Sequence, residues 1–157
     1  MIKYTVIGGN ASKELARKLA RKLGATYINV ELRTFPDGEN KITLSAKPRK
    51  NRIVVVQSTY PPVNSNLIQC LSLITKARQF SANVVAVIPY MGYARQDREF
   101  LPGEIRMRDV LDAVPGFGRI GAPEVERQEV DRLEGVVVLS AEHDPEEAPL
   151  FNLFSAQ

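Results

Sequence analysis

Cysteine is nearly absent from this chain of 157 residues. Cys70 stands alone, so no internal disulfide can form, and the chain is most simply read as cytoplasmic. Long apolar runs are missing as well. The longest, "VVAVI" at residues 84–88, falls far short of the roughly 20 residues that a membrane-spanning helix needs. The opening "MIKYTVIGG" has neither the apolar core nor the cleavage site of a signal peptide. An excess of one charge sign is also lacking: 21 Lys and Arg against 18 Asp and Glu leave a formal +3. That balance suits an acidic small molecule such as a phosphate ester, and it argues against nucleic acid, whose binding proteins concentrate more positive charge. What remains, 44% hydrophobic and 25% charged, is an ordinary globular composition, with length enough for one domain around a real core.

The apolar pattern predicts alternating strands and helices. "KYTVIGG" reads as a strand closed by Gly8 and Gly9. Asn10 or Ser12 then caps a helix whose stripe is Leu15, Ala16, Leu19, Ala20 and Leu23, with Gly24 as its stop and basic residues from Lys13 to Lys22 on the solvated side. "TYINVELRTF" and "NKITLSA" are two strands flanking the turn "FPDGEN", where Asp-Gly is strong turn chemistry. "RIVVVQST" and "NVVAVIPY" are strands buried on both faces. Between them "SNLIQCLSLITKARQF" is a helix with Leu67, Leu71, Ile74 and Ala77 inward. A further helix is expected to open at Pro102, with Ile105, Val110, Leu111 and Val114 on its buried side. "GVVVLS" is a last buried strand. The expected fold is a single α/β domain, an open and largely parallel sheet with helices on both faces. Residues 115–135, with four glycines and a dense run of charges, read as an atypical loop or insertion.

No glycine-rich phosphate loop follows the strand at 84–88. Arg95, Gln96, Asp97 and Arg98 arrive there almost together. Ligands of open parallel sheets bind outside the carboxyl ends of the strands, so this cluster is expected on that rim. Arginine offers a planar fork of donors matching phosphate oxygens, and glutamine can read a base or ribose edge. The plain alternative is a solvated loop with an Arg-Asp pair worth little. Gly8-Gly9-Asn10 could bind an anion at a helix N-terminus, although turn chemistry alone accounts for it.

The order of residues adds to this. "YARQDREFLPGE", residues 93–104, resembles the nucleotide-binding stretch of the ribose-phosphate pyrophosphokinases. "FPDGE", residues 35–39, resembles a second motif of that family at the matching distance upstream. "GGNASKELARKLARKLG" and "IVVVQSTYPPVNSNLIQCLSLITKAR" also fit the family's N-terminal half, so that the resemblance spans roughly residues 1–114.

The resemblance implies a phosphoribosyltransferase-like N-terminal domain. It implies an enzyme that transfers the diphosphate of ATP to ribose 5-phosphate, with Mg²⁺ as cofactor, in a homo-oligomer whose ATP lies between subunits. Arg95 and Gln96 would hold the nucleotide from one subunit; Phe35, Asp37 and Glu39 would meet the adenine and ribose from its neighbour. "VVVLSAEHDPEEAPLFN" looks like the family segment whose histidine lies beside the Mg-ATP phosphates, which makes His143 the metal-side candidate. The family aspartate two residues earlier is Ala141 here, and neither Glu142 nor Asp144 points the same way on an extended strand.

Family enzymes also carry a second α/β half that holds ribose 5-phosphate, and nothing in this chain reads as its acidic, Gly-Thr-rich loop. The expectation is therefore an ATP-presenting half that does not turn over alone. The alternatives are a non-catalytic subunit or fragment that assembles with complete enzymes, and an unrelated nucleotide or nucleic-acid binder using the basic helix. The apolar ending, with Leu150, Phe151, Leu153 and Phe154, calls for cover from a missing domain or a partner.

Overall fold

Valine and isoleucine fill both faces of the middle strands, and their alternation decides which helix lies on which side. The computed structural model describes residues 3–49, 51–93, 96, 99–106, 110 and 137–141. Its elements are β1 (Tyr4–Gly8), α1 (Lys13–Lys22), β2 (Thr26–Thr34), β3 (Asn40–Leu44), β4 (Arg52–Val56), α2 (Val63–Arg78), β5 (Val84–Ile88) and β6 (Val137–Ala141). They form one six-stranded sheet in the order β3-β2-β1-β4-β5-β6. The interior pairs β2–β1, β1–β4 and β4–β5 are parallel; both edge pairs, β2–β3 and β5–β6, are antiparallel.

Side chains alternate across a strand, so neighbours in sequence serve opposite layers. Val6, Val54 and Val56 pack on Ala16 and Ala20 of α1. Ile7, Ile53, Val55, Val84, Ala86 and Ile88 face the other way, against Leu67, Cys70, Leu73, Ile74 and Ala77 of α2. The expected open, largely parallel α/β sheet with a helix on each face is thus the observed one.

Two local expectations are corrected, and the direction of the last strand, which the apolar pattern left open, is decided. The stripe of α1 is narrower than its apolar residues: Ala16 and Ala20 are buried, Leu19 is half-buried, and Leu15 and Leu23 are 43% and 40% exposed. The small alanines set the line of closest approach, and Leu15 stands about 100° round the helix from Ala16. The last strand joins the sheet antiparallel to β5, because an apolar run specifies what a strand faces and not its direction. No helix opens at Pro102. Residues 101–103 form a turn with Gly103 at φ +91°, and Ile105 is 78% exposed. The carboxylates of Glu99 and Glu104 accept from the Gly103 and Phe100 backbone N–H groups at 2.6 and 2.8 Å, a local pattern that competes with helix. Val110 is helical but 43% exposed, and Leu111, Val114 and the segment 115–135 lie outside the described residues. The other boundaries move little: α2 starts at Val63, two residues before the expected start.

Candidate functional site

Open α/β sheets bind ligands at the carboxyl ends of their strands, at the crevice where the chain switches from one side to the other. Here that place is between β1 and β4. Both strands run straight into polar residues: Gly9 and Asn10 follow β1, and Gln57, Ser58 and Thr59, all buried, follow β4. The crevice is filled by the protein's own side chains. The Asn10 N–H donates to Gln69 Oε1 at 2.9 Å, and the Ala11 N–H to Gln57 Oε1 at 3.3 Å. Gln57 Nε2 donates to Asn66 Oδ1 at 3.4 Å, and Asn66 Nδ2 to the Tyr60 carbonyl at 2.5 Å.

Ser12 stands at the N-cap of α1, yet its hydroxyl accepts from the Ser58 N–H at 2.8 Å and does not cap the helix. A Cβ on Gly9 would collide with Gln57 Oε1, so the glycine leaves the room that the Gln57 carboxamide occupies. Gly8-Gly9-Asn10 is therefore a turn whose free donors are already occupied by glutamine carbonyls. Among the described residues, Gln69 Nε2 is the buried side-chain polar atom left without a partner.

The polar cluster after β5 is launched from this same rim. Thr59 holds the turn that carries it: its N–H and its hydroxyl donate to the Tyr90 carbonyl at 2.9 and 2.8 Å, and its Oγ1 accepts from the Gly92 N–H at 2.5 Å. A Cβ on Gly92 would lie 2.5 Å from Val63 Cγ1, so the turn presses directly on the start of α2. Tyr93 follows with φ +66°, a left-handed conformation costly for a bulky residue, and its hydroxyl donates to Asn64 Oδ1. Gln96 is exposed, with its N–H on the Tyr93 carbonyl at 2.9 Å. Beside the turn, Tyr60 and Tyr90 meet edge to face with centroids 5.5 Å apart, and both are exposed.

The second motif sits at the tip of the β2–β3 hairpin. β2 is parallel to β1, so its carboxyl end points to the same rim. The Phe35 N–H donates to the Glu39 carbonyl at 2.8 Å, and the Gly38 N–H to the Phe35 carbonyl at 2.9 Å. Gly38 takes φ +91°, and Asp37 Oδ1 accepts from the Glu39 N–H at 3.1 Å. The tight loop leaves Phe35 half-buried and the Asp37 and Glu39 side chains exposed. At its base Asn40 Oδ1 accepts from the Thr34 hydroxyl at 2.8 Å, and Asn40 Nδ2 donates to Ser65 Oγ at 2.8 Å. Adjacent residues in the first turn of α2, Asn64 and Ser65, therefore anchor both motifs.

Phe35, Asp37, Glu39 and Gln96 are thus placed on one rim. Among the described residues no hydrogen bond or ion pair joins Gln96 to the hairpin loop. Arg95 and His143 lie outside the described residues, as do Asp97 and Arg98. No group of three or more His, Cys, Asp or Glu that could hold a metal occurs among the described residues. Nor is any described helix long and apolar enough to cross a membrane. Sequence reading missed the buried partners Gln57, Asn66 and Gln69; the one available signal was amides interrupting the apolar face of α2. It also missed Arg33, whose guanidinium carbon stands 5.3 Å from the Phe35 ring centroid.

A family profile described as the N-terminal domain of ribose phosphate pyrophosphokinase matches residues 4–117. A ribose-phosphate pyrophosphokinase of Rhodopirellula baltica is 44% identical over 100 residues, which are 63% of this chain and 32% of that protein. The corresponding protein of Fusobacterium nucleatum is 34% identical over 142 residues, 88% of this chain and 44% of that protein. Among solved structures, the phosphoribosylpyrophosphate synthetase of Mycobacterium smegmatis superposes with a TM-score of 0.61 at 28% identity, covering 70% of this chain and 38% of that one. The chain spans less than half the length of these relatives.

Proposed function

Because this chain belongs to the ribose-phosphate pyrophosphokinase family through its N-terminal domain, we propose that it presents ATP for diphosphate transfer to ribose 5-phosphate. Phe35, Asp37 and Glu39 of one copy meet the adenine and ribose. Arg95 and Gln96 of a neighbouring copy meet the rest of the nucleotide. A phenyl ring offers a flat apolar face to a base, and two exposed carboxylates accept from an amino group or a ribose hydroxyl. An arginine fork matches phosphate oxygens.

The observation that carries this reading is the common anchoring of both motifs on Asn64 and Ser65, which puts them at one end of the sheet. Mg²⁺ supplies charge neutralisation when bound. It takes one or two carboxylates together with substrate phosphates. His143 is the proposed neighbour of those phosphates. The acceptor's own site is proposed to lie in the part of the relatives' length that the match does not reach. Phosphoryl transfer rests on positioning and charge stabilisation, which makes this domain's task the placing of the donor.

The test is a calorimetric titration of Mg-ATP into the purified chain and into Arg95→Ala. Loss of the arginine is expected to weaken binding by about 1.5–3 kcal/mol, the range for hydrogen bonds to charged groups. Equal affinities would remove Arg95 from the site, and no binding to the folded wild-type chain would end the nucleotide reading.

A further inference from the structure

Arg33 and Lys41 stand directly opposite each other in the β2–β3 ladder, and both are exposed. Like charges in that relation destabilise a hairpin. The usual remedy is a nearby carboxylate, and the hairpin has candidates: Glu31 lies two residues before Arg33, and Asp37 and Glu39 lie in the loop between the strands. None of them pairs with either cation, and among the described residues neither Arg33 nor Lys41 has an acidic partner. Asp37 is instead engaged with the loop backbone.

Arg33 is held in another way. Residues two apart in a strand share a face, and its guanidinium sits over the Phe35 ring at 5.3 Å. That contact leaves the N–H donors of the guanidinium free to meet a ligand. The hairpin therefore carries two positive charges side by side without an acidic partner, one of them over an aromatic ring, next to two exposed carboxylates. A nucleotide has the complementary features: a flat base, hydroxyl and amino donors, and an anionic phosphate chain that carboxylates repel.

We propose that Arg33 and Lys41 form an anion-binding pair on the hairpin that meets the phosphate groups of the nucleotide whose base lies at Phe35. This rests on the nucleotide reading above and adds to it a phosphate contact from the hairpin side. The price is paid by the ligand-free hairpin, whose charge repulsion is relieved only when the anion arrives.

The experiment compares Mg-ATP with adenosine, which lacks the phosphates, on wild type, Arg33→Ala and Lys41→Gln. Calorimetry gives the affinities, and thermal unfolding is followed without ligand at low and high salt. Each substitution is expected to lower ATP affinity by roughly tenfold or more, as for a lost charge-assisted bond, and to change adenosine affinity little. Arg33→Lys, which keeps the charge, is expected to recover part of the loss. Lys41→Gln is also expected to raise the ligand-free unfolding temperature at low salt, a gain that shrinks as salt screens the repulsion.

Equal loss for adenosine and ATP would assign Arg33 to holding the Phe35 ring and overturn the phosphate role. ATP affinity unchanged in both variants would overturn the pair while leaving the nucleotide site standing. Weakened self-association with ATP affinity intact would make the pair a contact between copies and overturn the proposal equally. A folded wild-type chain that binds neither ligand would end both this proposal and the nucleotide reading.

Discussion

Cys70 has no exposed surface and sits within the α2 side of the core, where burial pushes its thiol up from an ordinary 9.0 to about 12. In the unfolded chain the thiol ionises near its ordinary value, and in the folded chain it stays neutral well beyond it. The stability tied to the neutral thiol is therefore complete below about pH 9 and is lost as pH rises toward about 12. One proton corresponds to a slope of about 1.4 kcal/mol per pH unit across that window. Urea unfolding of wild type and Cys70→Ala between pH 8 and 11 checks this: the alanine variant, less stable at neutral pH, is expected to lose stability less steeply above pH 9. Parallel limbs for the two proteins would refute the assignment. The same burial gives Cys70 a packing role, in keeping with its place beside Leu73 and Ile74.

At the scale of elements, the turn between β5 and the polar cluster hangs on one side chain from the neighbouring strand end. Thr59 both donates to the Tyr90 carbonyl and accepts from the Gly92 N–H, so its hydroxyl satisfies a buried backbone donor. Thr59→Val preserves shape and removes that acceptor. It is expected to cost about 1–3 kcal/mol, the penalty of leaving a buried donor unpaired. A urea titration should show a lower midpoint with an unchanged slope, and Thr59→Ser should restore most of the difference. Amide exchange at Gly92 should accelerate in the valine variant. Exchange unchanged at Gly92 would show that the turn is held by the Tyr90 carbonyl and the Val63 contact instead. The α2 helix is the complementary element: its apolar face builds the core, while Asn64 and Ser65 in its first turn tie the hairpin and the Tyr93 segment to one end of the sheet.

At the scale of the whole molecule, a site divided between copies has a signature that no single-chain site shares. On the proposed reading, Phe35→Ala removes the base contact from one copy and Arg95→Ala the nucleotide contact from the other. Either variant alone is expected to bind Mg-ATP poorly. Mixed in equal amounts under exchange conditions, they are expected to regain about a quarter of the wild-type sites, the fraction in which an intact Phe35 faces an intact Arg95. Titration stoichiometry on the mixture measures this directly. A mixture that binds no better than its components would place both contacts on one chain.

Much of this protein is legible in its linear sequence because the deciding forces are local. The continuous apolar run of "RIVVVQ" specifies two-sided burial, since successive side chains point to opposite faces; "VVAVI" reads the same way, but Val85 and Val87 on one face of β5 are only half-buried. Gly24 and Gly38 mark a helix end and a hairpin turn because each adopts a positive φ that glycine tolerates without strain. The "FPDGE" and "YARQD" stretches are contiguous, so their order alone carries the family resemblance that the match to residues 4–117 bears out.

The tertiary structure alone decides what depends on residues distant in the chain. It runs β6 antiparallel to β5, a direction that no apolar pattern encodes. It leaves Leu15, Leu23 and Ile105 exposed, because a stripe of apolar residues does not state how closely a layer approaches it. It carries Gln57 and Gln69 to the amides of Ala11 and Asn10, filling the crevice with partners 46 and 59 residues away. And it sets Lys41 across from Arg33, because hairpin register is fixed by pairing between strands and not by either strand alone.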